Sequence, residues 1–278
     1  MSDFVNARQC LLAQLSLGIP VVAGVLWMNQ AGAPLQYVLT NLAALAVASA
    51  WIMLGREPAS KVGGRSIAVV LVLLMVLPLL IGPRVFGVAR WIQLGPLAVH
   101  VGLIAIPTLA ILAARERRVG VLTVATLVAA VQPDAASVLA IASAAALLAA
   151  VQRDWKWATL AAAGVSLAIV LGWHDTLPPQ RFVEHVFIDA GTNSVVWAVL
   201  LPLAFIAGLT LLAGQAPADR ETRLVTPAVL IGFTVASLLG PYPTPLVGYG
   251  VSSILGFGVA LGIGRPRRVA VEEATGSS

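Results

Sequence analysis

Apolar runs separated by short polar clusters organise the chain from end to end. Most are close to the length of helix that crosses a bilayer. They fall at about 10–28, 35–54, 66–82, 97–114, 119–131, 136–151, 158–173, 195–213, 224–240 and 249–264. Their Leu, Ala and Val blocks do not alternate with polar residues, which excludes a membrane β-barrel built from roughly ten-residue alternating strands. The pattern predicts an all-α fold, a polytopic transmembrane helical bundle of about ten spans. The fifth and sixth runs are short, with only Gln132, Pro133, Asp134 and Ala135 between them, so they form either a tight hairpin or one interrupted helix.

Composition and charge narrow this picture. Of the 278 residues 59% are hydrophobic and 10% charged, against about 25% charged in a soluble domain, and mean hydropathy is +0.94. A soluble globular protein is excluded. Arginine and lysine are retained on the cytoplasmic side of membrane proteins, so they test the span count. With ten spans one face receives Arg8, Arg56, Lys61, Arg65, Arg115, Arg117, Arg118, Arg153, Lys156, Arg220, Arg223, Arg265, Arg267 and Arg268, which is 14 of the 17 basic residues. The other face receives only Arg84, Arg90 and Arg181. Merging the fifth and sixth runs would scatter the later clusters outside, so both termini are expected to be cytoplasmic. Topology accounts for most of the basic excess behind a pI near 10.1, and no nucleic-acid partner is expected.

Residues 1–268 are expected to form a single integral membrane domain, with an uncleaved first span and a disordered cytoplasmic tail over 269–278. The single cysteine, Cys10, excludes an intrachain disulfide and a cysteine-based metal cluster. Three scattered histidines without a His-x-x-x-His pair give no metal site by spacing, and no cofactor follows from the sequence. The four-residue spacing of Gly248, Ser252 and Gly256, and of Gly258 and Gly262, is that of closely packed helices.

Candidate chemistry gathers on the external face. Arg84 and Arg90 either reach lipid headgroups or bind an anionic group such as a phosphate, which suits the guanidinium fork. Asp134 is placed to cap the sixth span, or to line an outward-facing cavity. The loop after span seven carries His174, Asp175, Arg181, Glu184, His185 and Asp189. A helix over 178–189 would set Arg181, Glu184, His185 and Ile188 on one face. There Arg181 and Glu184 form an exposed ion pair, or Glu184, with His185 or Asp189 nearby, is a general base whose pKa burial raises. His100, in the first turn of span four, reads as a hydrogen-bonded interfacial residue.

Three segments, in this order, resemble the SEDS family (shape, elongation, division and sporulation), the RodA and FtsW type membrane proteins of bacteria. Arg90-Trp91-Ile92-Gln93-Leu94-Gly95 is similar to that family's R-W-I-x-L-G. Gln132-Pro133-Asp134, continuing Ala135-Ala136-Ser137, is similar to Q-P-D-L-G-T. Pro245-Leu246-Val247-Gly248-Tyr249-Gly250-Val251-Ser252-Ser253 is similar to P-L-P-F-x-S-Y-G-G-S-S. The resemblance implies an inverting glycosyltransferase acting on a polyprenyl-diphosphate-linked sugar of the lipid II class, in bacterial cell-wall synthesis at the cytoplasmic membrane. It implies as partners that lipid-linked sugar, membrane lipid and a penicillin-binding transpeptidase. The family's catalytic carboxylate lies in a segment like L-P-E-x-H-T-D-F-I-F. Leu177 to Phe187 is the matching stretch, and one inserted residue places Glu184 opposite the aspartate. Arg84, Arg90, His100, Asp134, His185, Asp189, Tyr249, Ser252 and Ser253 are the residues expected to bind substrate. The chain departs from the family after the Arg-Trp motif, where His100, Val101, Gly102, Leu103 and Ile106 replace Q-P-S-E and a lysine, and its loop after span seven is shorter. Two alternatives stand beside catalysis: a noncatalytic scaffold for a cell-wall synthase, and a flippase for the lipid-linked precursor. Polar groups in the spans are sparse, Asn41 and Thr40 being the main ones, which weighs against a flippase path.

Overall fold

The computed structural model describes residues 2–173, 175, 177–214 and 220–265. His174 and the 269–278 tail, both read from the sequence, lie outside the described residues. The helices in chain order are α1 (Ser2–Gln30), α2 (Leu35–Leu54), α3 (Lys61–Ile81), α4 (Val101–Glu116), α5 (Val119–Val131), α6 (Ala135–Gln152), α7 (Trp155–Trp173), α8 (Val186–Asn193), α9 (Val195–Gly214), α10 (Arg220–Leu239) and α11 (Val251–Gly264). A hairpin of β1 (Trp91–Leu94) and β2 (Leu97–His100) stands between α3 and α4.

Each expected span corresponds to a helix. Seven of them, α1, α2, α3, α6, α7, α9 and α10, are long and apolar enough to cross a membrane. Three are shorter, with 16 residues in α4, 13 in α5 and 14 in α11. Helices α4 and α11 are buried over most of their circumference, as expected of helices that are apolar all round. Shortness is tolerable there, because irregular backbone at membrane depth survives where protein surrounds it.

Packing sets the interior apart from the rim. Helix α6 packs on α7 and α10, α4 on α3, α10 and α11, α11 also on α2, and α1 on α2 and α9. By contrast α3 buries only Gly64, Ala68, Met75 and Pro78. A close crossing is made by Gly256, where a side-chain carbon would run into the backbone of Leu103 and Ile104. That is the close helix approach the small-residue spacing predicts.

Two expectations are corrected. Residues 97–100 do not open a helix: Trp91 pairs with His100 and Leu94 with Leu97 in an antiparallel ladder, and α4 starts only at Val101. Gly95, at φ 59°, and Pro96 make a two-residue turn with a positive first φ, which hairpins favour. The segment 178–189 is not one helix either. Residues 178–185 form turns, with Phe182 at φ 69° and His185 at φ 55°, and α8 begins at Val186. Consecutive prolines at 178 and 179 hold the entry extended, and hydrogen bonds to the 240–250 segment then replace helical ones.

Candidate functional site

Three helix N-termini converge at the end of the bundle opposite the start of α1 and the end of α11, and each is shaped by its own sequence. His100 caps α4 through Nδ1, which accepts from the Leu103 amide at 3.3 Å. Asp134 caps α6, accepting from the Ser137 amide at 3.1 Å and from the Ser137 hydroxyl. Ser252, in the first turn of α11, accepts the His100 amide at 2.9 Å. Since Nδ1 is an acceptor, the His100 ring carries its proton on Nε2, which lies 3.4 Å from Asp134 Oδ2. Gly102 makes this approach possible: a β-carbon there would collide with the Ser137 hydroxyl and stand 3.2 Å from Asp134 Oδ2. Aligned helix dipoles make such a convergence favourable for negative charge.

Arg90 stands beside this cluster, fully buried. Its Nη1 donates to Asp175 Oδ2 at 3.0 Å, and neither side chain is appreciably exposed. The guanidinium lies 4.6 Å from the Trp91 ring and 4.9 Å from the Tyr242 ring, an arrangement that a planar cation stabilises through the ring faces. Burial, reinforced by the charge of Asp175, pushes the Tyr242 hydroxyl above its ordinary value.

The 240–250 segment closes over the loop after α7. Glu184 and Pro243 form an isolated antiparallel bridge. The Thr244 amide donates to Val183 O at 2.8 Å, and the Tyr249 amide to Phe182 O at 2.6 Å. Asn41, buried in α2, anchors the same segment by donating to Gly248 O at 3.0 Å and accepting from the Gly250 amide at 3.2 Å. Tyr37 stacks on Tyr249, with ring centroids 3.8 Å apart. Glu184 is thereby 93% removed from solvent, and its carboxylate accepts the Gln180 amide. Burial raises its pKa above the ordinary value, an effect that the Gln180 amide and the charge of Arg90 oppose and the charge of Asp175 supports.

Of the residues singled out in the sequence, Arg90, His100, Asp134, Ser252 and Glu184 are brought to this region. Ser253 works in the backbone turn, accepting the Leu246 amide at 3.2 Å and donating to Gly250 O at 3.1 Å. Tyr249 belongs to the aromatic clasp. Arg84 is exposed, with only a 3.5 Å contact to Leu79 O, while His185 and Asp189 are half-buried at the start of α8. The expected alternative of an exposed Arg181–Glu184 pair is not what forms: Arg181 donates to Ala31 O at 3.1 Å and lies over Phe182, whereas Glu184 is buried. Two members were missed as binding residues. Asp175 was legible only as one of several loop carboxylates, and Tyr242, within Gly-Pro-Tyr-Pro-Thr-Pro, carried no signal beyond its proline-rich setting.

No family model matches the chain, and no curated protein matches it in sequence. Among solved structures it is similar to an aspartate-to-alanine mutant of the rod shape determining protein RodA of Thermus thermophilus. That match has a TM-score of 0.68 and 19% identity, covering 91% of this chain and 94% of that one. The same protein without the mutation matches with a TM-score of 0.62 and 18% identity, over 91% and 93%. Together with its apolar helices, the likeness identifies the chain as an integral multi-pass membrane protein with the helical fold of RodA.

Proposed function

We propose that the protein is a SEDS-like inverting glycosyltransferase of the bacterial cytoplasmic membrane, taking its donor from a polyprenyl-diphosphate-linked sugar. The observation that carries this reading is Glu184: a buried carboxyl beside Arg90 and Asp175 that enters no ion pair among the described residues. In the reaction the ionised Glu184 takes the proton of the acceptor hydroxyl. The hydroxyl oxygen forms the new bond to the anomeric carbon from the face opposite the diphosphate. The old carbon–oxygen bond breaks, and its electron pair leaves on the diphosphate. A carboxyl whose pKa is raised is the stronger base once ionised. Arg90 and the three helix N-termini supply positive potential for the leaving diphosphate.

The test is incubation of the purified protein with labelled lipid II. Glu184→Gln is expected to lower turnover by about 10² to 10⁴ while lipid binding persists, and Asp189→Asn is expected to keep it. Full turnover in Glu184→Gln overturns the base assignment. If Arg90 grips the diphosphate through its fork, Arg90→Lys is impaired as Arg90→Ala is.

One observation favours the scaffold reading, in which the protein only holds a cell-wall synthase and its transpeptidase. Asp175 already neutralises Arg90 at 3.0 Å, so a diphosphate has to displace an internal carboxylate. Absence of turnover in the wild type, with the transpeptidase still depending on the protein for its position, decides for the scaffold.

A further inference from the structure

At the opposite end of the bundle a groove of about 530 Å³ runs between α3, α4 and α5. Its walls are apolar and small: Gly64, Ala68 and Val72 of α3, Leu112 of α4, Gly120 and Val121 of α5. Val69, Leu73 and Val124 border it and are about half exposed, so it opens sideways, toward the surroundings of the bundle. From Arg65 to Leu73 the helical rise gives it a depth of about 12 Å. Charge is confined to the mouth. Arg65 and Arg118 share one carboxylate, Glu116, at 3.3 and 3.7 Å, and both arginine side chains are 52% exposed. One positive charge of the three groups is left uncompensated.

From this arrangement we infer that the groove is a binding site for an anionic phospholipid of the cytoplasmic leaflet, its phosphate held by Arg65 and Arg118 and one acyl chain lying along the α3–α5 wall. Three features select that occupant. The walls offer nothing for a polar ligand to bond. The mouth carries an excess of guanidinium, which suits phosphate. The distribution of arginine and lysine sets this end on the cytoplasmic side, where anionic lipids concentrate. The site is separate from the Glu184 region and does not depend on the proposed reaction.

Native mass spectrometry of the full chain in detergent, titrated with dioleoyl phosphatidylglycerol or dioleoyl phosphatidylcholine, tests it. The two lipids carry the same chains and differ in net headgroup charge. Phosphatidylglycerol is expected to bind at least about tenfold more tightly, and Arg65→Gln with Arg118→Gln is expected to remove that preference. Gly120→Leu is expected to weaken both lipids, because it fills the groove from a position where an added β-carbon meets nothing within 4 Å. These variants touch only exposed or open positions, so an unchanged melting profile confirms that the fold is intact. Equal affinity for the two lipids in the wild type overturns the inference without any variant. So does unaltered binding in Gly120→Leu. Displacement of the lipid by millimolar inorganic phosphate alone marks a headgroup site without a chain groove, and overturns it as well.

Discussion

Two arginine–carboxylate clusters at opposite ends of the bundle use the same chemistry in different surroundings. Arg90 and Asp175 meet at 3.0 Å with no more than 1% of either side chain exposed, whereas Arg65 and Arg118 flank Glu116 at 3.3 and 3.7 Å with both arginines half in solvent. In water the attraction of such a pair is largely offset by hydration and side-chain entropy. In the interior each charge has lost its hydration and depends on its partner, so removing either one leaves an uncompensated ion. The buried pair therefore ties together the entry to the β hairpin, the loop after α7 and the α10–α11 connection, while the exposed cluster is free to exchange its partner for an external anion.

The sharpest way to break this comparison is Asp175→Asn. It strands the Arg90 charge and is expected to lower stability by about 3 to 5 kcal/mol, read as thermal unfolding in detergent. Replacing both members, Arg90→Met with Asp175→Leu, is expected to recover much of that loss. A single-variant loss under about 1 kcal/mol means that the pair behaves as an exposed one.

Next in size is Gly102→Ala. Its β-carbon collides with the Ser137 hydroxyl, and forcing α4 and α6 apart is expected to cost about 1 to 3 kcal/mol. The same change in a Ser137→Ala background is expected to cost less. Equal losses in the two backgrounds show that the contact is not what limits the site.

Glu184 gives a pH-dependent test. Its carboxyl pKa in the folded protein lies above the ordinary 4.5, so the folded chain holds a proton that the unfolded chain has already released. Stability is expected to fall as pH rises from about 4.5 through the raised value, by at most about 1.4 kcal/mol per pH unit, and to level off above it. Glu184→Gln is expected to flatten that limb, and the acid limb of any turnover is expected to lie above pH 4.5. Identical stability profiles for wild type and variant remove the case for a shifted carboxyl.

Smallest is the effect at the other end. Arg65→Gln is expected to change stability by less than about 1 kcal/mol, measured in detergent without anionic lipid. A loss as large as that of Asp175→Asn erases the contrast between the two clusters.

Much of the bundle was legible from one-dimensional pattern because the hydrocarbon core imposes a one-dimensional rule: a span must be apolar over its length and satisfy its own backbone. That rule located the ten apolar helices, with every end within about five residues except the start of α1, which lies at Ser2 rather than near 10, and the Asp134 cap followed from a residue type next to a helix start. It failed at 97–100 and 178–189. Both segments lie outside the helical spans, where hydrogen bonding to the neighbouring strand β1, for 97–100, or to the distant 240–250 segment, for the loop after α7, decides the backbone. Gly95-Pro96 did carry a turn signal, hidden by the apolar run that followed it.

What the sequence by itself determined was the membrane class, the positions of the helical spans and the clustering of basic residues at one end, because each depends only on local composition against a fixed slab of lipid. Which ionisable groups meet was decided by tertiary structure alone. Arg90 and Asp175 are 85 residues apart, and the clasp joining Asn41 to Gly248 spans 207. Residue types along the chain do not encode those separations. They arise when α4, α6 and α11 pack closely enough, through Gly102 and Gly256, for three helix N-termini and three loops to share one buried space.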